Sequence, residues 1–579
     1  MLKPKKSIEK MTGYFVPMYE KDWDIKIDSN ENNYGPSPKV IEKLSKCNYK
    51  NISFYPFYGE LSQKIADFNN VKIDNIKVTN GADEAIQAII QTYLETGESL
   101  LTLDISFEMP VIYAQIQGGN IIRVPFKEKW KFPLADFITK LKEQKENIKI
   151  IYLASPNNPT GNLIEENDLN IILENTKDKV VLIDETYANY AGKSYKKYIE
   201  KYNNIFIVRS FSKDFALAGM RLGYIMSNAE NIINLKKVVS PFSVNSYAML
   251  AGITALEDVE YFEKIREEIN KSKIELKTFL ESLNAIVYDS YANFLLVDFK
   301  NKADFVYNKL KNANISVKLF KKGSLLENHL RITIPTKEGI TRIKEALKIK
   351  PSLVFDMDGV IIDARNSYRA AIEKTYEHFT GKAISQKEIQ DAKNLGGLNN
   401  DWDLTKYLLE KSGFTTSYED IVNVFQEIYW KDGQGLINKE TALFNTELLC
   451  DLSKNYNLSI FTGRLKAEAI FALEKFNATN YFYPIITTDD IPQGMGKPNP
   501  YGLKVIKDMT IGDNYTYFGD TTDDILAAKS AGYKAIGVLP PQDKSQELIE
   551  LLMNKGADDT INSVTDIKSL LEKKDEAMC

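Results

Sequence analysis

Two parts of this sequence carry side chains that are placed to act as nucleophiles, and the two suit different reactions. Lys213 ends the run Ser210-Phe211-Ser212-Lys213, and Arg221 follows soon after it. A lysine amine can form an imine with a carbonyl compound that is held beside it. Further along, Asp356 and Asp358 stand two residues apart, and such a pair can attack phosphorus with one carboxylate while the other protonates the leaving oxygen. The sequence therefore predicts an enzyme with two reactions.

The residues around Lys213 lie where a cofactor would need them. Asp184 directly follows the apolar run 180–183, and open α/β sheets bind ligands at the carboxyl ends of their strands. Pyridoxal phosphate supplies a carbonyl group and an electron sink, and an aspartate can keep its pyridine nitrogen protonated. Gly81 opens an apolar helix whose first backbone amides can hold a phosphate. Each feature alone is more typical of a helix cap, a turn or a surface lysine.

Taken together, these segments resemble the fold-type I pyridoxal phosphate aminotransferases, and most closely the histidinol-phosphate aminotransferase family. The resemblance covers residues from about 26 to 345 and includes Ser155-Pro156-Asn157-Asn158-Pro159-Thr160-Gly161 and Asp184-Glu185-Thr186-Tyr187. It implies that Lys213 is the Schiff-base lysine and proton shuttle, and that Asp184 is the partner of the pyridine nitrogen. It also implies that Asn158 and Tyr187 are hydrogen-bond partners of the ring hydroxyl oxygen.

The same resemblance implies the remaining contacts of the cofactor and the substrate. The cofactor phosphate is expected to be bound by Ser210, Ser212 and Arg221, together with the backbone amides of Ala82 and Asp83.

Three further residues follow from the resemblance. Tyr55 is expected to reach across from a second subunit, which implies a homodimer, and Arg331 to fix the anionic group of the substrate. Phe107, in Ile105-Ser106-Phe107, stands where the family often has Pro-Thr-Tyr; it keeps the stacking ring but lacks the hydroxyl. Because the relatives include a threonine-phosphate decarboxylase with nearly the same motifs, decarboxylation stays open as an alternative to transamination.

The second half has the groups that a phosphoryl transfer site requires. Asp356 and Asp358 follow the apolar run 353–355, and in extended chain their spacing points both side chains the same way. Thr462 ends a predicted strand at 458–461, and Lys497 lies in Gly496-Lys497-Pro498. A second acidic cluster, 520–524, follows a predicted strand at 515–518. A hydroxyl donor, a cation and an acidic cluster that can bind a hard metal ion suit phosphoryl transfer.

These motifs, in this order, resemble the haloacid dehalogenase superfamily of phosphatases over residues 352 to 572. The resemblance implies that Asp356 is the nucleophile, that Asp358 is the general acid and then the base, and that Thr462 and Lys497 bind the phosphate. It implies a magnesium ion held by Asp356, the backbone carbonyl of Asp358 and Asp520, with Asp524 positioning the site.

The elements that position these residues are predicted to be parallel strands joined by helices. Strand-like apolar runs alternate with helical patterns along the chain, which predicts an α/β protein. The expected architecture is a fold-type I transferase with a large and a small domain, followed by a Rossmann-like phosphatase core. We place the aminotransferase over residues 1–349 and the phosphatase over 350–579. Helical patterns without convincing strands from 365 to about 442 predict a helical cap.

Composition excludes several other classes of function. The formal net charge of −5 and the even spread of lysines argue against a nucleic acid partner. The basic start of the chain lacks the apolar core of a signal peptide, and no apolar run approaches the roughly 20 residues that span a bilayer. Three widely separated cysteines fit a reducing cytoplasm, and only two histidines are present, so catalysis is expected to use Lys, Asp and Tyr.

The leading hypothesis is a bifunctional enzyme that acts on small phosphorylated metabolites. It transaminates imidazole-acetol phosphate with glutamate, which gives histidinol phosphate and 2-oxoglutarate, and then hydrolyses histidinol phosphate to histidinol. The alternatives are the same chemistries on another phosphorylated amino compound, a decarboxylation like that of threonine-phosphate decarboxylase, and a second half that is a regulatory module without catalysis.

Overall fold

The computed structural model describes residues 2–9, 11, 22–395, 398 and 400–577. The chain divides into two compact units, which we call unit 1 (Met1–Leu347) and unit 2 (Lys348–Cys579). Both units contain largely parallel sheets packed with helices, so the predicted α/β class is confirmed. None of the described helices is long and apolar enough to span a bilayer.

Unit 1 is built on a main sheet of seven strands in the order β2-β8-β7-β6-β5-β3-β4. Only β8 in this sheet runs antiparallel to its neighbours. The strands of unit 1 are β1 (Ile25–Lys26), β2 (Ile76–Thr79), β3 (Ser99–Leu103), β4 (Asn120–Val124), β5 (Ile148–Ala154), β6 (Val180–Asp184), β7 (Ile205–Ser210), β8 (Gly223–Met226), β9 (Ile286–Val287), β10 (Phe294–Asp298), β11 (Ile315–Ser316), β12 (Lys318–Leu319) and β13 (His329–Thr333).

Two apolar clusters cover the two faces of the main sheet. β6 sends Val181 and Ile183 into one cluster and Val180 and Leu182 into the other, because successive side chains of a strand point to opposite faces. The helices of unit 1 are α1 (Lys6–Glu9), α2 (Pro38–Ser45), α3 (Tyr49–Ser53), α4 (Gly59–Asn69), α5 (Gly81–Tyr93), α6 (Met109–Ile116), α7 (Leu134–Glu143), α8 (Glu166–Glu174), α9 (Ala188–Ala191), α10 (Ala229–Leu235), α11 (Ser246–Leu256), α12 (Val259–Ser282), α13 (Ala303–Asn312) and α14 (Lys337–Ala346).

A smaller sheet in unit 1 has the order β12-β13-β10-β9 and is antiparallel throughout. Arg331 lies on β13 opposite Leu296 of β10. Beside this sheet, β1 pairs in parallel with β11, and the backbone N–H of Thr333 donates to the carbonyl of Ile27. The chain that follows β1 is therefore fastened to the smaller sheet.

Unit 2 contains a parallel sheet in the order β18-β17-β14-β19-β20-β21. The chain adds strands on one side of β14 and then on the other, and ligands of such sheets bind where the order reverses. Its strands are β14 (Lys350–Phe355), β15 (Ile362–Asp363), β16 (Thr441–Ala442), β17 (Asn457–Phe461), β18 (Phe482–Ile486), β19 (Gly512–Gly519), β20 (Lys534–Val538) and β21 (Asp559–Ile561).

A group of helices lies between β15 and β16 and has its own apolar cluster. We call residues 364–440 the cap and the antiparallel pair β15 and β16 the cap stem. The expected all-helical segment thus ends in a strand, which is too short for its pattern to show in the sequence. The helices of unit 2 are α15 (Ala370–Thr380), α16 (Gln386–Asn394), α17 (Asp401–Lys411), α18 (Tyr418–Tyr429), α19 (Thr446–Asn455), α20 (Lys466–Lys475), α21 (Tyr501–Met509), α22 (Thr522–Ala531), α23 (Gln546–Asn554) and α24 (Ile567–Ala577).

Candidate active sites

Lys213 lies in the loop after β7, and its amine is enclosed by protein. Its Nζ donates a hydrogen bond of 2.8 Å to the backbone carbonyl of Ser29. Burial, the main cause, lowers the pKa of Lys213 to about 8, and the nearby Arg331 guanidinium adds to this effect. A larger share of this amine is therefore neutral near pH 7 than for an exposed lysine, as a nucleophile or proton acceptor requires.

Arg331 and Tyr187 bond to the same short segment as Lys213, and Asn158 is linked to it through Arg331. The Arg331 guanidinium donates to the carbonyl of Asp28 and, at 2.6 Å, to Oδ1 of Asn158. The Nδ2 of Asn30 donates to the hydroxyl oxygen of Tyr187 at 2.8 Å. Residues that are far apart in sequence are thus gathered around one stretch of chain.

This stretch, residues 28–30, was not identified from the sequence. Asn30 has a φ of +56°, which asparagine tolerates better than most residues. Its backbone N–H donates to Oγ1 of Thr333 at 3.0 Å. The signal that was available is the polar run Asp28-Ser29-Asn30-Glu31-Asn32-Asn33 directly after the alternating segment Ile25-Lys26-Ile27.

Asp184 is the last residue of β6, and its side chain is buried with only neutral donors bonded to it. Its Oδ2 accepts from the Tyr152 hydroxyl at 3.0 Å and its Oδ1 from the Thr186 N–H at 2.9 Å. Burial raises the pKa of Asp184 above its usual value. Because both donors are uncharged, the carboxylate keeps the capacity to stabilise a protonated ring nitrogen, so the donor set fits pyridoxal phosphate.

The start of α5 meets Arg221 where the phosphate of such a cofactor is expected. Gly81 has a φ of +75°, and a Cβ there would lie 2.8 Å from Nη2 of Arg221. The guanidinium donates to Oδ2 of Asp83 at 2.8 Å and to Oγ of Ser212 at 3.4 Å. Ser210 Oγ accepts from the N–H of Ser212 at 3.0 Å. A cation, two hydroxyls and a helix N-terminus together make a suitable anion site.

The other three residues expected in the first site are Ala82, Phe107 and Tyr55. Ala82 and Phe107 are half-buried and pack against the same apolar cluster of the main sheet. Tyr55 is 77% exposed and its ring stacks on that of Phe242 with centroids 4.2 Å apart. The neighbouring Phe57 is also exposed.

In unit 2, Lys497 joins two of the expected carboxylates. Asp356 follows β14, and the Nζ of Lys497 lies 2.8 Å from its Oδ1 and 2.8 Å from Oδ1 of Asp524. Burial would lower the pKa of Lys497, but the two carboxylates raise it above its usual value. Lys497 is therefore a fixed cation beside the expected nucleophile.

Oxygen atoms of Asp356, Asp520 and Asp524 all lie within 4.8 Å of one another. Burial, assisted by the Asp524 and Asp358 carboxylates, raises the pKa of Asp356 to about 7 against the opposing effect of Lys497. Burial and the other two carboxylates raise the pKa of Asp520 well above its usual value. Three carboxylates share a single lysine here, and oxygen ligands with this excess of negative charge fit a hard divalent cation such as Mg²⁺.

Asp524 is held more firmly than its two neighbours. Its Oδ2 accepts from the backbone N–H of Thr521 at 3.0 Å, and its Oδ1 accepts from the Tyr517 hydroxyl at 3.0 Å. Burial would raise its pKa, but Lys497 and these donors hold the pKa of Asp524 below its usual value. Asp524 is thus both close enough to bind a metal ion and bonded as a positioning residue would be.

Gly359 allows the loop after β14 to pass close to Asp520. It has a φ of +77°, and a Cβ at this position would lie 2.3 Å from Oδ2 of Asp520. The backbone there needs both the left-handed conformation and the missing side chain, for which glycine is the suitable residue. This glycine therefore belongs to the architecture of the acidic cluster.

The side chain of Asp358 lies outside the acidic cluster and binds Arg464. Arg464 Nη2 donates to Asp358 Oδ1 at 2.6 Å, and Nε donates to Oδ2 at 3.0 Å. Thr462, which follows β17 and is buried, accepts from the N–H of Arg464 at 3.3 Å. Arg464 follows Thr462 by two residues in the sequence, but no local pattern there indicates that its partner is Asp358.

A cleft lies between the sheet of unit 2 and the cap. Asp356, Asp358 and Lys497 line this cleft, together with Arg369 and Trp402 of the cap. The cap also contributes an ion pair between Lys393 Nζ and Asp401 Oδ1 at 3.0 Å, and both residues line the cleft. Residues 396, 397 and 399, which lie between them in the sequence, are outside the described residues.

Comparison with known proteins finds a matching family model in each half of the chain. Residues 24–347 match the family model "Aminotransferase class I and II", and residues 353–538 match "Haloacid dehalogenase-like hydrolase". A histidinol-phosphate aminotransferase of Brachyspira hyodysenteriae is 33% identical over 351 residues, which are 59% of this chain and 96% of the relative.

Solved structures agree for unit 1. The histidinol-phosphate aminotransferase of Clostridium acetobutylicum aligns with a TM-score of 0.51 at 26% identity, over 56% of this chain and 98% of that one. The Sinorhizobium meliloti enzyme, solved with pyridoxal-5'-phosphate, has a TM-score of 0.54 at 20% identity, over 58% and 95%; it supports the fold alone. The resemblance inferred from the motifs is confirmed. The chain belongs to the class I and II aminotransferase family, and a haloacid dehalogenase-like hydrolase domain follows its aminotransferase domain.

Proposed function

We propose that the protein converts imidazole-acetol phosphate and glutamate into histidinol phosphate and 2-oxoglutarate, and then hydrolyses histidinol phosphate to histidinol. The observation that carries this proposal is the presence, in one chain, of two sites that each gather a nucleophile and a set of matching partners. Lys213 lies among Arg331 and the residues around 28–30, and Asp356 lies among Lys497 and two further carboxylates. The relatives of unit 1 that carry the name histidinol-phosphate aminotransferase support the choice of substrate.

In the first reaction, Lys213 is the group that moves the proton. Bound pyridoxal phosphate supplies a carbonyl for this amine and an electron sink for the bonds of the substrate's reacting carbon. Lys213 Nζ, whose pKa burial lowers to about 8, takes a proton from that carbon and returns it to the neighbouring position. Asp184 holds a proton on the ring nitrogen. Arg331 binds the anionic group of the substrate.

Other residues hold the cofactor in place. The phosphate is expected to lie against Ser210, Ser212 and Arg221, with the amides of Ala82 and Asp83 at the start of α5. Further contacts that we assign to the ring are hydrogen bonds from Asn158 and Tyr187 to its oxygen and stacking by Phe107.

In the second reaction, an Asp356 oxygen attacks phosphorus and the bond from phosphorus to the alcohol oxygen breaks. Asp358 gives its proton to that oxygen, and the alcohol leaves. Water then attacks the phosphorus of the aspartyl phosphate, Asp358 takes the water proton, and phosphate leaves with Asp356 restored. Thr462 and Lys497 hold the phosphate oxygens. Mg²⁺ would be held by Asp356, Asp520 and the Asp358 carbonyl, with Asp524 beside them, and would offset their negative charge.

The experiment is a substrate test with the purified full chain. With imidazole-acetol phosphate, glutamate, pyridoxal phosphate and Mg²⁺, we expect 2-oxoglutarate and then inorganic phosphate to appear. Carbon dioxide from phosphothreonine, without glutamate consumption, would instead favour the decarboxylase alternative. Formation of 2-oxoglutarate with no phosphate release from histidinol phosphate would favour a hydrolase domain without this activity.

The lowered pKa of Lys213 predicts how cofactor uptake depends on pH. Only a neutral amine attacks a carbonyl. The rate at which cofactor-free protein binds pyridoxal phosphate should therefore rise with pH, with the midpoint of the rise at about pH 8. The rate is measured by visible absorbance. In Arg331→Met the midpoint should move to higher pH, because that cation helps to lower the pKa. A wild-type midpoint near the ordinary 10.5 would contradict the prediction.

We also infer a homodimer in the cytoplasm. The exposed Tyr55 and Phe57 support a partner that covers this surface and receives Tyr55, and a solution mass of twice 65.9 kDa is the expected result by light scattering. The free thiols of Cys47 and Cys450 support a reducing compartment, which cell fractionation would test.

A further inference from the structure

The proton-transferring group of the second site does not stand alone. Both carboxylate oxygens of Asp358 accept from Arg464, at 2.6 and 3.0 Å. The Arg464 side chain is 1% exposed and that of Asp358 is 30% exposed. Since Asp358 lines the cleft, one edge of its carboxylate is fixed by the guanidinium while the remainder of the group stays open to a substrate.

The opposite edge of the Arg464 guanidinium is bound from the cap stem. Nη1 donates to Glu440 Oε2 at 3.0 Å and Nη2 to Glu440 Oε1 at 2.9 Å. Glu440 is buried, directly precedes β16, and accepts from the hydroxyls of Ser367 and Tyr429 at 2.9 and 3.1 Å. The ring of Tyr368 lies 5.1 Å from the guanidinium carbon. Arg464 is therefore shared between the loop after β14 and the base of the cap.

We propose that Arg464 is the positioning residue for Asp358 and that Glu440 holds Arg464 in place, so that the cap stem and the proton-transferring carboxylate form one hydrogen-bonded unit. This inference rests on the proposed phosphatase reaction. A planar guanidinium that bonds two carboxylates along two edges fixes both of their planes, which a lysine ammonium does not do. A displacement of about 1 Å at a reacting group is enough to slow catalysis by on the order of 10²-fold.

The test uses the dependence of the rate on the leaving group. An alkyl phosphate such as histidinol phosphate needs a proton on its leaving oxygen, whereas p-nitrophenyl phosphate releases a stable phenolate without one. The ratio kcat/KM covers only the steps up to phosphoryl transfer to Asp356, so the later water attack does not enter. In Arg464→Lys we expect kcat/KM to fall on the order of 10²-fold for histidinol phosphate and only about threefold for p-nitrophenyl phosphate.

A double variant shows whether Arg464 acts through Asp358. Asp358→Asn alone should show the same selective loss on the alkyl ester, by about 10² to 10⁴-fold. If Arg464 acts through that carboxylate, adding Arg464→Lys should cause little further loss. Glu440→Gln, which keeps the shape of the side chain, should give a smaller loss with the same preference for the alkyl ester.

The control is Asp451→Asn, which removes two exposed ion pairs of unit 2, with Lys454 and with Lys568, and should change the rate for neither ester. Melting curves check that each variant is folded; if Arg464→Lys does not fold, Glu440→Gln carries the test. Equal losses on both esters, or losses that multiply in the double variant, would overturn the inference and leave the phosphatase reaction standing. Phosphate release by the wild type from neither ester would remove the phosphatase proposal, and this inference with it.

Discussion

Replacement of Asp356 by asparagine should abolish phosphate release from histidinol phosphate while leaving the formation of 2-oxoglutarate intact. We expect a loss of at least about 10³-fold in kcat, because the amide has nearly the same shape but cannot form the bond to phosphorus. Lys497 would still have Asp524 as a partner at 2.8 Å, so the buried ammonium would not be left without a counter-charge. The measurement is inorganic phosphate over time, with 2-oxoglutarate followed in the same sample.

The controls separate loss of the nucleophile from loss of structure. Melting curves of the variant and the wild type show whether unit 2 is folded, and the surface variant Asp451→Asn should release phosphate normally. If Asp356→Asn released phosphate at more than a few per cent of the normal rate, the attack on phosphorus would have to come from another group.

Replacement of Lys213 by alanine should abolish transamination while leaving phosphate release intact. Transamination should fall by at least about 10³-fold, because the variant lacks both the nucleophilic amine and the group that moves the proton. The visible absorption spectrum of the cofactor-loaded variant should differ from that of the cofactor-loaded wild type. Hydrolysis of histidinol phosphate should continue. The measurements are the absorption spectrum, 2-oxoglutarate and inorganic phosphate.

Unit 1 offers a matched control for this variant. Lys273 is a second lysine whose pKa burial lowers to about 8, and it donates to the carbonyl of Ser290 at 3.0 Å. Lys273→Ala should keep the cofactor spectrum and transamination, because a lysine with a lowered pKa is not by itself a cofactor-binding site. If the two alanine variants behaved alike, the assignment of Lys213 would be wrong.

Mixed in one solution, Lys213→Ala and Asp356→Asn should together complete both reactions.

The sequence was sufficient where local pattern determines position. Apolar runs such as 180–183 are strands that are buried on both faces, and Asp184 ends β6. Asp356 likewise follows β14 at the centre of its sheet. Residues at strand ends come together because parallel strands end at one edge of the sheet, so the neighbourhood of Asp356, Asp520 and Asp524 could be predicted without coordinates.

What could not be predicted depends on contacts between distant parts of the chain. Glu440 reaches Arg464 only because β16 pairs with β15, and two residue pairs leave no periodic pattern to detect. The Lys393 and Asp401 pair likewise forms across separate helical segments of the cap. Side chains that meet through tertiary packing carry no local signal, so their partners had to come from the structure.

Residues 28–30 connect the two sheets of unit 1. This stretch is fastened to the smaller sheet, because Asn30 bonds to Thr333 of β13, whereas Lys213, which bonds to Ser29, follows a strand of the main sheet. Arg331 stands on the smaller sheet and bonds to the same stretch. The same stretch is also bonded to the main-sheet side, because Asn30 donates to Tyr187 and Ser29 accepts from Lys213. Residues 28–30 are therefore a common anchor that sets the distance between the amine of Lys213 and the guanidinium of Arg331.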